Sequence, residues 1–292
     1  MAPPRPKPNL ARQRALATTT LPDGTRVPVL GQGTWRMGEH AANSAREIAA
    51  LRLGIDLGMT LIDTAEMYGE GGAEEIVGAA IAGRRDEVTV VTKVYPHNAG
   101  RKTAIAACER SLRRLRTERI DVYLLHWPGR IPLAETVDAF ERLRAVGKIA
   151  HWGVSNFDRD AMAALASLHG GARCATNQVL YHLKERGIEW DLLPWMRERR
   201  MPVMAYSPLG EGALLRNRKL AAIAAECGAT PAQLALAWLL QTPGVIAIPA
   251  SSDAAHVRVN RGAADLELDA PTRAALAAAF PPPTGPSSLA VV

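Results

Sequence analysis

A closed barrel of eight parallel strands, each followed by a helix, is the architecture this sequence predicts. Three observations carry it. Short β-branched or apolar runs alternate with Ala/Leu/Arg-rich stretches of helical periodicity through most of the chain, the pattern of a parallel sheet with helical crossovers. The runs number eight, and eight such units in one domain favour closure over an open, doubly wound sheet. An open sheet with a dinucleotide crevice would carry G-x-G-x-x-G after its first strand, whereas Gly31-Gln32-Gly33-Thr34-Trp35-Arg36 puts arginine where the third glycine belongs. The 292 residues suit a barrel as well, since such folds run to about 250 residues or more as one unit.

The elements follow in pairs. An apolar run at 29–33 ends in glycines and leads to a helical stretch at 44–57, and a run at 60–63 leads to 72–82. The β-branched segment 87–93 precedes a helix at 102–115, and 122–126 precedes one at 132–146. Shorter units follow at 151–154 with 159–168, and at 175–179 with 191–199. The run 202–206 leads to a helix pair within 220–241, and 245–248 leads to 254–260. No composition shift, Gly/Ser linker or charge block interrupts residues 21–280. We therefore expect a basic, Pro-rich, disordered arm at 1–17, one barrel at 18–280, and a Pro-rich C-terminal tail at 281–292 near the barrel mouth.

Composition narrows the function. Hydrophobic residues at 48% and charged residues at 22% describe an ordinary globular chain and exclude a largely disordered or collagen-like one. The formal charge is +6, but Arg5, Lys7, Arg12 and Arg14 supply most of the excess and no acid lies among the first 20 residues. A nearly neutral body argues against a nucleic-acid or membrane partner. The first 20 residues hold no apolar stretch of the length a secretory signal needs and no run reaches the length of a bilayer span, so a cytosolic protein is expected. Cys108, Cys174 and Cys227 are widely spaced with no C-x-x-C pattern and read as buried thiols. His40, His97, His151, His169 and His182 have no metal-ligand spacing, and no metal site is expected.

In a barrel of this kind the chemistry sits at the carboxyl ends of the strands. Leu61-Ile62 runs into Asp63, with Tyr68 shortly after; Val90-Val91-Thr92 runs into Lys93; and Tyr123-Leu124-Leu125 runs into His126. Taken singly, such residues are more often caps, solvated charges or packing groups. At the ends of three consecutive strands they put an acid, a phenol, an amine and an imidazole on one rim. A buried Asp63 and Lys93 would form an ion pair. The ammonium would lower the phenol pKa, making Tyr68 the proton donor, and His126 would orient a substrate oxygen. This is a set suited to carbonyl reduction if something delivers hydride. Two other classes are open: a metal-dependent hydrolase using Asp63, Glu66 and His126, and a cofactor-sensing regulatory subunit with little turnover.

At these residues the chain resembles the aldo-keto reductases, over about residues 21–280. Asp63-Thr64-Ala65-Glu66-Met67-Tyr68-Gly69 is similar to the D-T-A-x-x-Y-G segment of that family, Lys93 to its catalytic lysine, and Leu124-Leu125-His126-Trp127 to its histidine motif. Gly153-Val154-Ser155-Asn156-Phe157, Asn177-Gln178 and Tyr206-Ser207-Pro208-Leu209-Gly210 resemble its cofactor segments in order and spacing. Within the family the likeness is to a bacterial branch associated with methylglyoxal reduction. The resemblance implies NADPH, with NADH also possible, bound without a Rossmann fold, and a small carbonyl substrate handled by a monomer. It places Ser155, Asn156 and Gln178 on the carboxamide and Tyr206 against the nicotinamide ring. Ser207, Pro208, Leu209 and Gly210 fall at the diphosphate, and Gly33, Thr34, Trp35 and Asp63 also border the cofactor. Trp35, Tyr68, Tyr95, His126 and Trp127 would line the substrate mouth. Ala250, Ser251, Ser252, His256 and Asn260 fall at the adenosine end, where Ala250 and His256 replace the lysine and arginine many members carry.

Overall fold

The computed structural model describes residues 14–292. A hairpin of β1 (Thr18–Thr20) and β2 (Arg26–Pro28) precedes the strands β3 (Gln32–Gly33), β4 (Leu61–Asp63), β5 (Thr89–Val94), β6 (Ile120–Leu125), β7 (Ile149–Ser155), β8 (Asn177–Leu180), β9 (Val203–Tyr206) and β10 (Val245–Ala247). Strands β3 to β10 pair in chain order and every pairing is parallel. The circle closes where Leu30 and Gly33 bridge to Ala247 and Ala250, with the Gly31 and Gly33 amides donating to the carbonyls of Ala247 and Pro249. The expected eight-stranded (β/α)8 barrel is therefore what forms. Buried on both faces, its strands need continuous apolar sequence rather than alternation, and this is why they read as short apolar runs.

Around the barrel lie α1 (Ser44–Asp56), α2 (Gly72–Ala80), α3 (Thr103–Leu115), α4 (Leu133–Ala145), α5 (Arg159–Ser167), α6 (Leu192–Glu198), α7 (Arg218–Glu226), α8 (Pro231–Leu240), α9 (Ala254–Gly262) and α10 (Ala270–Ala279). Nine match the helical stretches read from sequence, and α10 is an addition near the end of the barrel region. Among the described residues no single helix is long and apolar enough to cross a membrane.

The hairpin is a second addition. Its Leu21 and Val27 pack with Leu61, Val91, Val122, Ala175 and Ile246, residues of the barrel interior. His151 at the start of β7 bonds Asp23 in the hairpin turn at 2.8 Å. The hairpin thus plugs the amino-terminal end of the barrel. Of the arm expected at 1–17, residues 1–13 lie outside the described residues, while 14–17 pack on the barrel: Arg14 pairs with Glu267, and the Ala17 carbonyl accepts from the Val29 amide at 3.1 Å. At the other end of the chain, Arg186 donates to the Phe280 carbonyl, Leu289 packs on the main core, and Val292 reaches the barrel mouth.

Candidate active site

A cleft of about 500 Å³ opens at the carboxyl ends of the strands. Asp63 ends β4, Lys93 is the penultimate residue of β5, His126 follows β6, Ser155 ends β7, Gln178 lies in β8 and Tyr206 ends β9. Successive strand ends therefore deliver the polar set to one rim, as the sequence pattern implied.

At the floor, Lys93 is fully buried and its Nζ sits 2.7 Å from Asp63 Oδ2. The same ammonium donates to the Thr64 carbonyl at 2.8 Å and to the Tyr68 hydroxyl at 3.2 Å, so its three protons are all placed. Asp63 Oδ1 accepts from Gln178 Nε2 at 2.7 Å. Burial raises the Asp63 carboxyl and lowers the Lys93 ammonium, so each depends on the other to stay charged. The ring of Tyr68 packs edge-on against Trp35 and His126, with centroids at 4.9 and 5.8 Å.

The lowered phenol pKa expected for Tyr68 is not what burial produces. Burial first, and the Asp63 charge after it, raises Tyr68 well above the ordinary tyrosine value, so desolvation outweighs what the ammonium gives the phenolate. Tyr68 is thus a protonated phenol at neutral pH, with an ammonium in place to stabilise the phenolate once the proton leaves. His126 is pushed down to about 2 by burial and the nearby Lys93 charge. The ring is therefore neutral; it lines the cleft, and its Nδ1 is buried with no partner among the described residues.

Farther along, Asn156 adopts φ 60°, a left-handed conformation that asparagine tolerates better than most residues. Its Nδ2 donates to the His126 carbonyl at 3.2 Å, and its Oδ1 accepts from the Tyr206 hydroxyl at 2.9 Å. The hydroxyl of Ser155 donates to the Gln178 carbonyl at 2.8 Å. These bonds fix Tyr206 as a half-buried aromatic wall.

Most residues expected to border the cofactor do line the cleft: Gly33, Thr34, Trp35, Asp63, Ser155, Asn156, Gln178, Tyr206, Ser207, Pro208, Leu209, Ala250, Ser251, His256 and Asn260, with Tyr68, His126 and Trp127 at the substrate end. Tyr95, Gly210 and Ser252 do not line it. The Tyr95 ring stacks on His97 at 4.7 Å and meets Trp127 edge-on, supporting the wall from behind. Gly210 faces the His182 ring. Glu66, a candidate metal ligand above, instead accepts from the Tyr95 amide and from Asn98 Nδ2 at 2.8 and 3.0 Å, so it does not converge with Asp63 and His126.

Arg36, Glu211, Leu215 and Ala232 also line the cleft without having been anticipated, and Val292 does so from the tail expected near the mouth. Arg36 and Glu211 left one signal. Together with Asn156 and Ser207 they are four of the seven non-glycine residues at positive φ among the described residues, a concentration of backbone strain typical of functional sites. In sequence, Thr34-Trp35-Arg36-Met37 is a turn without a glycine.

Residues 29–279 match the model of the aldo/keto reductase family. The chain belongs to this family. Its similarity to methylglyoxal reductase YeaE of Escherichia coli is 53% identity over 91% of this chain and 95% of that one. An aldo/keto reductase from Klebsiella pneumoniae crystallised in complex with NADPH superposes with a TM-score of 0.93 at 51% identity, covering 96% of this chain and 100% of that one. A second structure from that organism, in complex with NADP and acetate, gives 0.92 at 51% identity and covers 94% and 99%. The Asp63–Lys93–Tyr68 cluster lies at the foot of the cleft at the carboxyl ends of its strands.

Proposed function

We propose that the protein reduces small aldehydes, ketoaldehydes or dicarbonyls such as methylglyoxal to alcohols with NADPH, Tyr68 donating the proton. The observation that carries this reading is the Lys93 ammonium, 3.2 Å from the Tyr68 hydroxyl and 2.7 Å from Asp63 at the foot of an aromatic cleft. The methylglyoxal reductase and the NADPH-complexed structure among the relatives support it.

The donor set fits the cofactor. Gln178 spends its amide protons inside the protein, on Asp63 and on Met204 Sδ at 2.9 Å, which leaves its carbonyl oxygen for a carboxamide N–H. Tyr206 provides a flat wall, and the first turn of α9 borders the far end, where its backbone amides suit phosphate. When bound, NADPH supplies hydride. The chain's own groups do the rest. Trp35, Trp127 and the Tyr68 ring wall off a small carbonyl compound and exclude water from it. Tyr68 O–H and the neutral His126 N–H converge on the carbonyl oxygen, where negative charge develops. As the Tyr68 proton passes to that oxygen, the Lys93 ammonium stabilises the phenolate, and Asp63 keeps the ammonium charged.

NADPH absorbance followed with methylglyoxal tests the reading. The parent protein should consume NADPH only when the carbonyl is present. Tyr68→Phe should lose about 10²–10⁴-fold in turnover while still binding NADPH by fluorescence titration. Turnover within about threefold of the parent would defeat the assignment.

A further inference from the structure

We propose that Gln178 is a positioning residue for the proton donor, coupling the carboxamide end of the cofactor cleft to Tyr68 through Asp63 and Lys93. The inference rests on the reading of Tyr68 as donor. Four buried side chains from separate elements form one continuous chain of bonds. Gln178 Nε2 in β8 donates to Asp63 Oδ1 at 2.7 Å; Lys93 Nζ in β5 donates to Asp63 Oδ2 at 2.7 Å and to the Tyr68 hydroxyl at 3.2 Å. Gln178 is 1% exposed, Asp63 2% and Lys93 fully buried, so no water substitutes for a missing link.

The chemistry gives the chain a direction. A carboxylate in a dry site depends on donors to stay ionised, and Asp63 has two strong ones: the ammonium on one oxygen and the Gln178 amide on the other. Loss of the amide leaves Oδ1 without that donor, favours protonation of Asp63 and deprives Lys93 of its counter-charge. The phenolate then loses the cation that receives it. The amide nitrogen is also held by Met204, with Gln178 Nε2 2.9 Å from its Sδ, and Gln178 lines the cleft. A ligand group accepted there orients the same amide that holds Asp63. The charged and titratable groups around the chain are Tyr68, His126 and, behind Lys93, Glu74 from α2. Glu74 is committed to Thr92 at 2.6 Å and to Arg114.

Gln178→Met keeps the volume and removes the donor. Gln178→Glu keeps the shape and sets a second carboxyl against Asp63. Each is assayed for NADPH affinity by fluorescence, for kcat and KM with methylglyoxal, and for the acidic limb of the kcat profile. The expected result for both is kcat lowered about 10–100-fold, KM changed far less, and an acidic limb moved to higher pH because Asp63 protonates more readily. Circular dichroism confirms folding, and Gln178→Glu serves should the methionine variant fail to fold. A loss of NADPH affinity with an unmoved acidic limb would overturn the coupling and leave Gln178 a cofactor contact only. Unchanged kcat would overturn it as well. Tyr68→Phe, run alongside, tells the two failures apart: its retained turnover removes the donor, whereas an inactive Tyr68→Phe beside an unmoved limb removes only the role of Gln178.

Discussion

At the scale of single residues, the site works through groups whose charge depends on a neighbour. Lys93 and Asp63 are the sharpest case, since neither has water to fall back on. Lys93→Met should therefore abolish turnover and also cost about 3–5 kcal/mol of stability, because it strands a buried carboxylate. Thermal melts and turnover measured on one preparation check both effects, and an unchanged melting temperature with unchanged activity would show the ion pair to be dispensable. His126 gives a pH prediction of definite sign. Burial and the Lys93 charge hold it down to about 2, below the value of about 6.5 expected in the unfolded chain. Below that pH the unfolded chain takes up a proton that the native imidazole refuses, so stability declines as pH falls through 6 toward 2. His126→Gln should flatten part of that decline in melts run between about pH 7 and 4. Equal slopes for parent and variant would show that the imidazole does not contribute.

At the scale of elements, the start of α9 is where the proposed cofactor reading places the choice between dinucleotides. Asp253, the nearest carboxylate to the adenosine end in sequence, would favour a ribose hydroxyl and repel a phosphate if it faced the cleft. It instead caps α9, its Oδ1 accepting from the His256 amide at 2.9 Å, and it does not line the cleft, whereas Ala250, Ser251 and His256 do. NADPH should therefore be preferred over NADH in kcat/KM, and Ala250→Lys should widen the gap by about tenfold or more through one added charge-assisted contact. Equal or better use of NADH by the parent would defeat this. Elements were the most legible level of the sequence. Strand ends such as Ile62-Asp63 and Leu125-His126 could be read because buried parallel strands must be apolar until they emerge at the rim, where a polar residue marks the exit. The hairpin at 18–28 was not legible, since Thr18-Thr19-Thr20 and Arg26-Val27-Pro28 have little apolar content and only Leu21 and Val27 turn inward. Arg36 and Glu211 escaped for another reason: their place in the cleft follows from left-handed turns, which sequence signals reliably only when glycine or asparagine supplies them. The pKa of Tyr68 was misjudged because the ammonium was visible in the sequence pattern while the depth of burial was not.

At the scale of the whole molecule, the barrel divides its labour between two ends. Every group proposed to act chemically emerges at the carboxyl ends of the strands, while the amino-terminal end is sealed by the β1–β2 hairpin, whose Leu21 and Val27 are 3% and 2% exposed. Layers of barrel interior separate the two, with Leu61, Val91, Val122 and Ile246 packed directly on the hairpin. A rigid, close-packed interior transmits little of a cavity made at the bottom to side chains fixed by their own hydrogen bonds at the top. Leu21→Ala should accordingly lower stability by about 2–5 kcal/mol, the range for emptying a buried leucine site, and lower the melting temperature by several degrees. At a temperature where parent and variant are both fully folded, kcat/KM for methylglyoxal and NADPH affinity should stay within about twofold of the parent. Melting curves set that temperature, and steady-state kinetics there make the comparison. A kcat/KM that falls in step with stability, with the protein still folded by circular dichroism, would show that the plug and the cleft are mechanically coupled and that the separation of the two ends fails.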